Sequence, residues 1–70
     1  MPPDVSHFTT RQVEVLTGVC AGKTNKQVAT DLGLSEKTVK AHVTAIFKIL
    51  GVENRTQAVL VARRLGMLPS

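Results

Sequence analysis

The stretch Asn25-Lys-Gln-Val-Ala-Thr-Asp-Leu-Gly33-Leu-Ser35-Glu-Lys-Thr-Val-Lys-Ala-His-Val-Thr-Ala-Ile46 holds two helix starts and one stop. Thr24 precedes it and Gln27 stands three residues on. That is a capping-box pattern, in which a hydroxyl and an amide oxygen satisfy N–H groups left free at a helix start. Gly33 follows an apolar-periodic run, and glycine tolerates the left-handed conformation that ends a helix. Ser35 then caps a longer helix, with Thr38 where a capping box would place Gln or Glu. Two helices joined by a turn of three or four residues containing glycine form a helix-turn-helix pattern. Ala29 is small enough to let the helices approach, and Val28, Leu32 and Leu34 can pack against Val39 and Val43. A generic helical hairpin shares this spacing.

The same punctuation recurs on both sides. Thr9 with Gln12 repeats the capping box, and Asn54 with Gln57 is a variant with an amide at the cap. Gly22, Gly51 and Gly66 each follow an apolar-periodic run. The signals predict an all-α domain of four helices at about 10–21, 25–32, 36–50 and 55–65. The domain is expected over residues 8–68. Residues 1–7, with two prolines, read as a tail or linker. A chain of 70 residues makes one small domain with little room for a deep substrate pocket. Two Phe and no Tyr or Trp argue against a sheet-rich fold and against the aromatic platforms of many single-strand binders.

The formal net charge is +4, which suits a polyanionic partner, although a soluble protein can also simply be basic. Cys20 is the only cysteine, so no internal disulfide forms, and a reducing interior fits. No run approaches the roughly 18 apolar residues of a membrane span. Residues 1–10 lack the regions of a signal peptide, and the chain is read as cytoplasmic. His7 and His42 are far apart, and no metal-ligand spacing or nucleophile–base pattern is visible. An enzyme, a metal site and a cofactor are therefore not expected. Cys20 falls on the apolar side of the first helix as a small core residue. His42 lies at the margin of the apolar side of the third, fit for a structural role or for a phosphate.

At about 100° per residue, Val39, His42, Val43, Ile46, Phe47, Ile49 and Leu50 share one broad side of the third helix. Lys37, Lys40, Ala41, Thr44 and Lys48 fall within an arc of roughly 100° on the other side. That arc contains no acid, whereas a solvated helix commonly interleaves Glu with Lys. Small side chains permit close approach to a major groove, and lysines, Lys48 among them, reach guanine acceptors or phosphates. A solvated basic face is the plain alternative. The N-terminus of the second helix, with Thr24, Asn25 and Lys26, offers free N–H groups and a positive dipole end to a phosphate, as does Thr38 in the first turn of the third.

The stretches Phe8–Leu16, Gly22–Ala29, Leu34–His42 and Leu50–Ala58 resemble the LuxR/FixJ-type (GerE-like) DNA-binding domain of bacterial transcription regulators. Thr38-Val-Lys40 with His42, followed by Asn54-Arg-Thr-Gln-Ala58, carries most of the likeness. The resemblance implies bases read by the positions of Lys40, Ala41 and Thr44, with Lys37 in some members. It implies phosphates held at Thr24, Asn25, Lys26 and Thr38. This chain departs from the family in Gln12 for Glu, Phe8 for Leu and Gly18 for a larger apolar residue. Gly18 is expected to weaken the first helix by about 0.5–1 kcal/mol relative to alanine.

The last helix has two faces. Ala58, Val61, Ala62 and Leu65 share one side; Thr56, Val59, Leu60 and Arg63 share the other. A small monomer needs one buried stripe, so the second is a candidate contact surface, and the resemblance implies pairing through this helix. Exposed aliphatics are also ordinary on any surface. The expected function is sequence-specific binding of double-stranded DNA by a dimer on two half-sites. RNA polymerase and an upstream receiver or ligand-binding domain are further candidate partners. The competing class is a protein-interaction module whose basic face docks an acidic partner.

Overall fold

A computed structural model describes residues 8–66. The expected tail at 1–7, with His7, and the end of the expected domain at 67–68 lie outside these residues. Four helices follow one another: α1 (Thr10–Cys20), α2 (Asn25–Leu32), α3 (Glu36–Leu50) and α4 (Arg55–Arg64). No strand occurs among the described residues. The expected ends of α1 and α4 each run one residue too far. Ala21 and Leu65 leave helical ψ, at 1° and 0°, while their N–H groups still bond back to Thr17 and Val61 at 3.0 Å.

Each start is capped as its sequence predicts, with one variation. Thr9–Gln12 and Thr24–Gln27 close complete capping boxes, and Ser35 Oγ accepts the Thr38 N–H. At Asn54 the cap accepts the Gln57 N–H, but Gln57 Oε1 accepts from Glu53 rather than from Asn54 itself. Asn54 holds φ −149°, against −76° at Thr9, which turns its own N–H away from Gln57.

The turn between α2 and α3 fixes the geometry that matters most. Gly33 sits at φ +68°, and the Leu34 N–H returns to the Ala29 carbonyl at 2.9 Å. That closure satisfies a carbonyl α2 leaves unpaired, and Leu34 folds down against the core. Gly51 ends α3 in the same way, at φ +70°, with the Val52 N–H on the Phe47 carbonyl at 3.0 Å.

Among the described residues the core is entirely apolar: Val15, Leu16 and Val19 from α1, Val28 and Ala29 from α2, Val39, Ile46 and Leu50 from α3, Ala58 and Ala62 from α4. Phe8, Cys20, Leu32, Leu34, Val43 and Phe47 are half-buried against it. Helix α3 packs on all three other helices, so its inner face is held and its outer face is presented.

Gly18 is explained by α2 rather than by helix propensity. A Cβ there would lie 2.8 Å from Val28 Cγ2, inside van der Waals contact. Val28 is buried and β-branched, so its χ1 has little freedom to yield. Alanine would gain about 1 kcal/mol of helix propensity and lose about 1–3 kcal/mol to overpacking. Gly18→Ala is therefore expected to lower the melting temperature by several degrees, read by circular dichroism. A rise of several degrees would show that the propensity term wins.

Candidate nucleic-acid interface

The outward face of α3 is built by the buried one. Val39, Ile46 and Leu50 anchor the inner side, and His42, Val43, Phe47 and Ile49 form its half-buried margins. With that side fixed, Lys37, Lys40, Ala41, Thr44 and Lys48 are all exposed. Among the described residues the two ion pairs are Arg11–Glu14 at 3.7 Å and Lys23–Asp31 at 2.5 Å, and neither uses a lysine of α2 or α3. Among the described residues, no ion pair neutralises the α3 lysines.

The hydroxyls differ in what they offer. Thr44 Oγ1 donates to the Lys40 carbonyl at 3.0 Å, so it faces outward as an acceptor beside its methyl group. Thr38 Oγ1 accepts from Ser35 Oγ at 2.9 Å, which leaves its own proton available to an anion. Thr24 Oγ1 accepts the Gln27 N–H at 3.1 Å and likewise keeps its proton. Asn25 is half-buried; Thr24, Lys26 and Thr38 are exposed. The first turn of α2 contains no acid, so its positive dipole end is uncompensated there.

Thr24, Asn25 and Lys26 share a cleft of about 420 Å³ with Glu36, Val43, Phe47 and Arg55. Arg55 is the residue that sequence reasoning missed. Its Nη2 donates to the Lys23 carbonyl at 2.7 Å, tying the start of α4 to the loop before α2. A signal did exist: Arg55 opens a helix whose first turn has no acid. A cation at the positive end of a helix dipole is misplaced unless another group holds it.

On α4, Ala58 and Ala62 are fully buried and Val61 and Leu65 half-buried, as the apolar stripe predicts. On the second face Thr56 and Arg63 are exposed, Leu60 is 48% exposed, and Val59 is half-buried. Leu60, rather than Val59, is therefore the main outward aliphatic. Cys20 is half-buried against the core; burial pushes its thiol pKa up, against the pull of Arg55 and Arg63. None of the helices is long and apolar enough to cross a membrane, among the described residues.

Residues 6–62 match the family described as bacterial regulatory proteins, luxR family. The chain is 41% identical over 63 residues to the transcriptional regulatory protein YdfI of Bacillus subtilis (strain 168), covering 90% of this chain and 30% of the relative. It superposes on the transcription factor GerE with a TM-score of 0.81 at 35% identity, over 89% of this chain and 92% of GerE. It also superposes on the response regulator ChrA of a heme-sensing two-component system, with a TM-score of 0.81 at 38% identity, over 91% of this chain and 34% of ChrA. The chain spans 30% or less of the curated relatives YdfI, the glycerol metabolism activator and AlkS of Pseudomonas putida. With nearly all of its described residues inside the match and the GerE fold reproduced, the chain belongs to the luxR family of bacterial regulatory proteins and forms a helix-turn-helix DNA-binding domain of that family.

Proposed function

We propose that the domain reads double-stranded DNA by laying the outer face of α3 in the major groove, as the effector domain of a bacterial transcription regulator. The observation that carries this reading is the α3 face itself: three exposed lysines around Ala41 and Thr44, with none of them taken by the ion pairs among the described residues. Lys37 and Lys40 are assigned to guanine acceptors, and Ala41 and Thr44 to close contact with base edges. Thr44 reads as an acceptor or a methyl contact, because its proton is held by the Lys40 carbonyl. Thr24, Asn25, Lys26, Thr38 and Lys48 are assigned to phosphates, which set register without reading sequence.

The test is binding of the purified protein to duplexes from a randomised pool. A defined motif should emerge, and affinity should fall with salt at a log–log slope of at least about −2 per domain, from Lys26 and Lys48 alone. Equal binding to any polyanion, with no motif, would favour an interaction module.

The second face of α4 supports pairing of two domains on two half-sites, through Thr56, Val59, Leu60 and Arg63. Leu60 supports it most directly, as an exposed aliphatic on a helix whose other side already fills the core. Because Leu60 is exposed, Leu60→Asp should leave the fold intact, weaken binding to a two-site duplex severalfold, and leave binding to a single half-site unchanged. Equal loss on both duplexes, or none, would count against pairing through α4. The same face is open to an upstream domain or to RNA polymerase.

A further inference from the structure

The motif Asn54-Arg-Thr-Gln-Ala58 contributes a side chain that the reading face does not use. We infer that Arg55 is a further DNA-backbone residue, and that it sets the sign of the cleft at the start of α2. The inference rests on the DNA-binding reading above.

Three observations carry it. First, the Lys23 carbonyl occupies one nitrogen of the Arg55 guanidinium, at 2.7 Å. Five N–H donors radiate from that planar group, so the single bond fixes the fork and leaves other donors for a second partner. Second, Arg55 lines the same cleft as Asn25 and Lys26. Third, Glu36 also lines the cleft, and its negative charge balances the positive charge of Lys26 in the sum over the lining side chains. Lys23, on the adjoining loop, is already paired with Asp31. Without Arg55 the side-chain charges of the cleft cancel; with Arg55 one positive charge is left over to meet a phosphate. An anion would then bridge the start of α4 and the N-terminus of α2, with Glu36 limiting how strongly it is held.

The consequence is separable from base reading and from a purely structural clamp. In wild-type protein and in Arg55→Ala, binding to a selected duplex and to a random one is measured across salt concentrations, below both melting temperatures. Arg55→Ala should weaken both complexes alike, keep the sequence preference, and make the salt slope shallower by about one. A slope change of that size corresponds to about an eightfold loss at 0.1 M salt relative to 1 M. Glu36→Gln should strengthen binding to both duplexes severalfold, in the wild type and in the Arg55→Ala background. If Arg55→Ala does not fold, Arg55→Gln, which keeps a donor for the Lys23 carbonyl, carries the same expectation. A lower melting temperature with an unchanged slope would overturn the inference and leave Arg55 as a clamp. So would Glu36→Gln variants that bind as their parents do. A wild-type protein that binds no duplex would instead overturn the DNA-binding reading, and this inference with it.

Discussion

Ile46→Ala is expected to unfold the domain at temperatures where the wild type is intact. Ile46 is 1% exposed and lies on α3 directly behind its exposed face. Truncating a buried isoleucine costs about 2–5 kcal/mol, from lost transfer energy and the cavity left behind. A chain of 70 residues has about 4–10 kcal/mol of stability in total, so the loss removes about a fifth of it at the least and all of it at the most. The small core offers little relief, because its members among the described residues already include Ala29, Ala58 and Ala62. At about 4–8 °C per kcal/mol, the melting temperature should fall by about 8 °C or more, followed by far-ultraviolet circular dichroism. DNA binding should weaken in step with the folded fraction and keep its sequence preference. A shift of about 3 °C or less would mean that Ile46 is not the anchor that orients α3.

Lys40→Ala is expected to have the opposite signature: a stable fold with an altered readout. Lys40 is exposed, and its carbonyl, which holds Thr44, belongs to the backbone and survives the substitution. The melting temperature should move by about 2 °C or less, as for most exposed sites. Loss of a base contact costs about 1–3 kcal/mol, which is about 5- to 150-fold on the preferred duplex. Binding to random duplexes should fall far less. The preference should relax at one position of each half-site, seen by selecting duplexes with the variant and comparing the motif. An equal loss on preferred and random duplexes would place Lys40 on a phosphate instead.

The helices were legible because their signals are local. The capping boxes at Thr9 and Thr24 and the glycines at 33 and 51 act within five residues, so their partners are fixed by spacing alone. The outward face of α3 was legible for a related reason. A helix with one strongly apolar side must present its other side, and the period says which residues lie there. What stayed hidden depends on distance along the chain. Gly18 reads as a weak point of α1 until Val28 is seen to occupy the space of its missing side chain. Arg55 bonds a carbonyl 32 residues earlier, and periodicity names a face without naming what stands opposite. Periodicity put Val59 and Leu60 on one face without ranking them; Val59 is half-buried and Leu60 exposed because burial along α4 depends on how the helix rests on α1 and α3 as well as on its angular pattern.

The most direct measurement is a heteronuclear NMR titration of the isotope-labelled protein with a selected duplex. The largest amide shifts should fall on Lys37, Lys40, Ala41 and Thr44 of α3 and on Thr24, Asn25 and Lys26 at the start of α2, while Arg11 and Glu14 on the outer side of α1 stay near their free positions. Shifts centred on α1, or no saturable shifts at all, would contradict the assignment of α3 as the helix that reads DNA.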